Sequence, residues 1–218
     1  MDYAYFERTE NPAIPAIVRI GEQTTPVWIQ SAWTEGEYAQ YIHRNGCGHC
    51  CAAMAANLHG VKTDPYQAYL LCHQLWGPPE ESKGQDHFQT VFGITAVLQH
   101  WSIPCQAFGL AEGQQKQATD HILDCLRAGK QVIFVSDPFL MPNNPFSTGY
   151  HYVMAVGFDR DGKILIANSS ENTCKGGVQS VDPIEITNAL FQGGTADSAM
   201  TWGIVEVLYK GCTYVVVG

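Results

Sequence analysis

No apolar run in the 218-residue sequence approaches the roughly 20 residues that a membrane-spanning helix needs. The opening stretch MDYAYFERTENPAIPAIVRI has neither a basic flank nor an apolar segment of signal-peptide type. The expected setting is therefore cytoplasmic, with a secreted one the alternative if a signal has been removed. Basic charge is also scarce: 12 Lys and Arg stand against 21 Asp and Glu, a formal charge of −9 with no basic run. An electrostatic nucleic-acid binder needs the reverse balance, so neither nucleic acid nor an anionic membrane is an expected partner. Cysteine is thin as well. The 8 in the chain fall well below the roughly 8–10% of a disulfide-built scaffold. Only Cys47 and Cys50 are spaced like metal ligands, and a zinc site would want a second such cluster. No metal and no organic cofactor is expected.

What is present suits one soluble globular domain over residues 1–218, 45% hydrophobic with 5 Trp, 10 Tyr and 9 Phe to fill a core. There is no internal repeat and no low-complexity tract. Residues 1–26 read as an irregular lead with a possible strand at residues 16–20, and TPVWIQ reads as a short strand ending at Gln30. From Cys47 the apolar residues Cys47, Cys51, Met54 and Leu58 mark one face of a helix that Gly60 should stop. Residues 65–76 and 88–101 read as further helices, separated by the loop GPPEESKGQD, and residues 120–128 as a fourth. Strands follow: QVIFV, then YHYVMAVGF and KILIAN around the turn DRDG, then WGIVEVLY and CTYVVV as a closing hairpin. Helices first and strands second indicate an α+β fold.

The helix opens with Cys47-Gly48-His49-Cys50, and two chemistries compete for it. A disulfide oxidoreductase places such a pair where a buried strand runs into a helix. Here the approach is EGEYAQYIHRNG, polar and without strand alternation. The other reading is a nucleophile, because a helix N-terminus stabilises a thiolate. A thiolate needs a proton carrier, usually His. His49 is too close in sequence to face Cys47 across a cleft. His43, His59, His73, His87, His100 and His121 sit in helical or loop stretches with no geometric argument for them.

His151 differs because it opens a strand. With DRDG as a four-residue turn, Phe158 pairs Lys163 and Asn168 falls opposite Val153. His151 and Asn168 then share a sheet face as diagonal neighbours, about 7–8 Å apart at the backbone and within side-chain reach. A three-residue loop would reverse that parity. An Asn that holds the imidazole tautomer and aims its other nitrogen at a Cys completes the Cys-His-Asn form of the catalytic triad.

NGCGHCCAAMAANLHG followed by GYHYVMAVGFDRDGKILIANSS resembles the papain-like cysteine peptidases, closest to the branch holding the double-glycine leader peptidases of bacteriocin export. In that branch Cys-Gly opens an Ala/Met-rich helix, the His begins a strand, and the next strand ends in Asp or Asn. Cys47, His151 and Asn168 match these places. FGITAVLQHWSIPCQAFG and AGKQVIFV are similar to the family's second helix with its following strand and to its pre-His strand. The resemblance covers roughly residues 27–170. It implies a helical half bearing Cys47, a sheet half bearing His151 and Asn168, and a peptide or protein substrate. It also implies an upstream Gln that joins the Cys47 N–H in an oxyanion hole. Gln30 is the preferred candidate and Gln40 the alternative. Two positions depart from the family pattern. His49 stands where Pro or a small residue is usual, and Asn168-Ser169 stands where Asp-Pro is commoner.

The expected activity is attack of Cys47 on a peptide or amide carbonyl, through a thioester that water hydrolyses. Acyl transfer and deamidation remain open to the same groups. The rivals are a thiol-disulfide oxidoreductase using Cys47 and Cys50, and a catalytically silent peptide-binding domain of the same fold.

Overall fold

A computed structural model describes residues 2–35, 39–76, 91–110, 113–138, 140, 143–171, 174, 176–191 and 213–218. The expected loop at residues 77–86, His87, Cys212 and the strand WGIVEVLY lie outside the described residues.

The first sheet is an antiparallel meander of β1 (Ala4–Arg8), β2 (Ala16–Ile20) and β3 (Gln23–Val27). Strand β2 stands where the sequence places it, with Ala16 and Val18 pointing inward as a one-faced strand requires. Its turn to β3 holds two residues and begins at Gly21, φ +56°, the left-handed value that tight hairpin turns select. Strand β1 leaves no hydrophobic pattern to read, because only Ala4 of its five residues is buried. The expected strand ending at Gln30 is corrected: β3 stops at Val27, and Gln30 begins a single 3-10 turn, Gln30–Ala32.

Helix α1 (Ala39–Asn45) runs almost directly into α2 (Cys47–Leu58). Gly46 makes the joint. Its N–H bonds the Ile42 carbonyl at 2.8 Å, and a Cβ at this position would be driven into that carbonyl. Helix α2 has the expected bounds, with Gly60 at φ +82° past its end. Ten of its twelve residues are buried. The alanines favour helix and are small enough for β3, α3, α4 and the second sheet to pack around it. Helix α3 (Pro65–Trp76) begins at its proline, where the Asp64 carboxylate accepts the Gln67 N–H at 2.8 Å. Helix α4 covers Val91–His100, and the expected start at Phe88 is outside the described residues. Helix α5 (Gln115–Arg127) starts earlier than expected, because a polar first turn carrying a Lys116–Asp120 ion pair hides its period.

The second sheet follows the order β4 (Cys105–Phe108), β9 (Tyr214–Val217), β5 (Gln131–Ser136), β6 (His151–Phe158), β7 (Ile164–Ala167) and β8 (Val178–Val181). Every neighbouring pair is antiparallel. Side chains alternate across it. Tyr152, Met154 and Val156 join a core with α2 and the first sheet. Val153 and Ala155 join a second core with α5 and α6 (Pro183–Ala189). The architecture is the α+β, papain-like one: a helical half on one side, an antiparallel sheet on the other, and α2 packed between them. Among the described residues no helix is long and apolar enough to cross a membrane.

Candidate active site

Cys47 is the first residue of α2 and is half-buried. Gly46 caps the helix with no side-chain bond, and Cys47 stands at the positive end of the helix dipole. At its margins the core around α2 gathers Cys47, Trp33 and Tyr150, the last adjacent to His151. Helix α1, not a strand, leads into α2, so the strand-to-helix entry of a disulfide oxidoreductase is missing.

His151 opens β6, and its Nε2 lies 2.9 Å from Asn168 Oδ1. The Asn168 amide has its orientation fixed independently. Its Nδ2 donates to the Phe146 carbonyl at 2.9 Å, and its Oδ1 also accepts the Ser170 N–H at 2.9 Å. Oδ1 therefore faces the ring, Nε2–H must be the donor, and Nδ1 is left as the basic nitrogen. Burial pushes the His151 pKa down to about 4, against the opposing effect of the Asn168 bond. The ring is neutral over ordinary pH.

The pairing arises differently from expectation. Phe158 pairs Ile164, not Lys163. The loop is the three-residue type, closed by Asp159 N–H donating to the Lys163 carbonyl at 2.9 Å, with Gly162 at φ +78°. Alone it would put His151 and Asn168 on opposite faces. A register shift between Ala155 and Gly157 restores the parity, and the last pair before the site is Met154 with Ala167. An extra residue on one strand is what a β-bulge supplies.

Gln30 and Ser169 are joined twice. The Gln30 N–H donates to the Ser169 carbonyl at 3.1 Å, and the Ser169 hydroxyl donates to Gln30 Oε1 at 3.3 Å. Ser169 also faces Cys50, one helical turn beyond Cys47, and its hydroxyl opposes the burial that raises that thiol. Gln30 thus lies beside the Asn168 end of the sheet. Gln40 is an exposed residue of α1.

The neighbours of Cys47 have separate roles. Cys50 and Cys51 are fully buried, and burial drives both thiols far above the usual range. His49 is also interior, its ring centroid 5.3 Å from that of Tyr69 on α3. That packing accounts for a large residue in a position where the family usually has a small one. His59 bonds Gln131 Oε1 at 3.0 Å and His121 bonds the Tyr214 hydroxyl at 2.7 Å, both away from this cluster. Sequence reasoning passed over Ser169 as a partner of Gln30, although it adjoins Asn168. It also passed over Asn144, whose side chain spans Ser136, the Asp137 carbonyl and the Phe146 N–H.

Residues 25–192 match the Peptidase_C39 like family. No curated protein matches the chain. Among solved structures, one similar chain is a double glycine motif protease from an AMS/PCAT transporter in complex with the leader peptide. It is 12% identical with TM-score 0.45, over 85% of this chain and 92% of that one. Another is a C39-like peptidase from Bacillus anthracis, 12% identical with TM-score 0.47, over 79% of this chain and 88% of that one. The family match spans well over half of the sequence, and the chain belongs to the Peptidase_C39-like family.

Proposed function

We propose that the protein is a single-domain cysteine peptidase that cleaves a peptide or amide bond through Cys47, His151 and Asn168. The observation that carries this reading is the His151 Nε2–Asn168 Oδ1 bond, with its amide held from two other directions. It leaves the ring nitrogen Nδ1 free to take the Cys47 proton. The sulfur attacks the carbonyl carbon and the carbonyl electrons move onto oxygen. Gln30 Nε2 and the Cys47 N–H hold that oxyanion. On collapse, His151 gives its proton to the leaving amine and a thioester remains. Water, deprotonated by His151, attacks the thioester through a second oxyanion, and the acid product leaves as the thiol re-forms.

Labelling with a thiol-reactive epoxide warhead tests the reading. One adduct at Cys47, lost in His151→Ala, is the expected result. Labelling that ignores His151 would indicate redox chemistry, and absence of labelling would indicate a silent binding domain.

A further inference from the structure

Ser169 is fully buried at the junction of three elements. Its carbonyl accepts the Gln30 N–H and its hydroxyl donates to Gln30 Oε1, with the Cys50 thiol of α2 beside it. The two bonds hold Gln30 at once by its backbone N–H and by its side-chain oxygen. With Oε1 occupied, the Gln30 amide presents Nε2, a donor-only group, away from Ser169. A donor misdirected by a flip of the amide would place an oxygen, and repulsion, where the oxyanion forms.

We infer that Ser169 is a positioning residue that orients the Gln30 side chain as an oxyanion donor, acting through that amide and not on the substrate. The inference rests on the reading of Cys47 as nucleophile and Gln30 as donor. It gives the Asn168-Ser169 pair a reason in this chain, because a proline after Asn168 would have no hydroxyl to offer.

Two probes of Cys47 separate orientation from general damage. Acylation by p-nitrophenyl acetate passes through an oxyanion, whereas alkylation by iodoacetamide is a displacement at carbon that forms none. Acylation is read as the p-nitrophenolate released above the Cys47→Ala background, and alkylation by mass mapping of Cys47. Ser169→Ala should slow acylation roughly 10- to 100-fold, the scale of a small misplacement of a reacting group, with alkylation unchanged. Ser169→Thr, which keeps the hydroxyl, should restore acylation. In a Gln30→Ala background, Ser169→Ala should add no further loss. Should Ser169→Ala unfold, exposing Cys50 and Cys51 to alkylation, Ser169→Cys replaces it, being close in size and a poor donor. Equal slowing of both probes, or full loss persisting without Gln30, would overturn the inference by making Ser169 merely structural. Slow acylation in Gln30→Ala beside normal acylation in Ser169→Ala would overturn the inference alone. Normal acylation in Gln30→Ala would overturn the oxyanion reading and the inference with it.

Discussion

His151 and Asn168 meet at 2.9 Å across two strands whose register slips by one residue between Ala155 and Gly157. The slip offsets the odd loop at residues 160–162, and the contact exists only because the two irregularities occur together. Asn168 also carries the Phe146 carbonyl and the Ser170 N–H. One buried amide thus secures the ring, the loop before β6 and the chain after β7.

Asn168→Ala is therefore expected to cost both activity and stability. The ring loses its tautomer preference, and turnover should fall about 100-fold, the lower end of what positioned acid-base groups supply. The buried His151 N–H and Phe146 carbonyl lose their partner, which costs about 1–3 kcal/mol for each group left unsatisfied. Urea denaturation alongside single-turnover acylation checks both. Wild-type stability would show that water replaces the amide.

Cys47 and Cys50 should separate cleanly on substitution. Cys47→Ala is expected to abolish hydrolysis. Cys50→Ala should keep most of it, since burial raises the Cys50 thiol and a buried protonated thiol is no nucleophile. Equal loss in both variants would restore the disulfide-exchange reading.

The pH dependence of stability should carry a His151 signature. Its folded pKa is about 4 and an unfolded histidine sits near 6.5. Between these values the unfolded chain binds the proton and the native one does not. Stability therefore rises with pH across this window and is lost as pH falls from 6.5 towards 4. The full difference is on the order of 3 kcal/mol. Measured in Cys47→Ala, where no thiolate offers the ring a counter-charge, the urea midpoint should fall more steeply on acidification than in Cys47→Ala/His151→Gln. Parallel slopes would mean that the ring takes up its proton as easily folded as unfolded.

The sequence was most readable where one residue type meets one requirement. The bounds of α2 follow from its apolar period, its alanines and Gly60, and the α3 start from Pro65. Strand β1 was not readable, because four of its five residues face outward and leave no alternation. Helix α6 carries a local start signal, since Asp182 and Glu185 form a capping box around Pro183. The DRDG turn shows both sides. Asp159 Oδ1 accepts the Asp161 and Lys163 N–H groups, and with Gly162 this marks a three-residue loop that local chemistry could have specified. The slip near Val156 has no local signal, since packing on both faces of β6 decides it. The parity of His151 and Asn168 thus comes from a three-residue loop and a register slip together, not from a four-residue turn.

Gln30 and Gln40 provide the sharpest contrast of roles. Gln30 begins the 3-10 turn beside Ser169, with its amide oxygen bound; Gln40 is exposed on α1. An oxyanion donor acts on charge that exists only in the transition state, so its loss lowers turnover and leaves substrate binding nearly intact. Gln30→Ala should reduce single-turnover acylation roughly 100- to 1000-fold, about 3–4 kcal/mol, with KM little changed. Gln40→Ala should be close to silent, because an exposed helix position offers nothing for the reaction to lose. Single turnover is the right measurement, since product release can mask a slowed chemical step in steady state. Loss in Gln40→Ala with full acylation in Gln30→Ala would reverse the assignment. Full acylation in both would leave the hole to backbone amides, with the N-terminal turn of α2 supplying the donors that Gln30 does not.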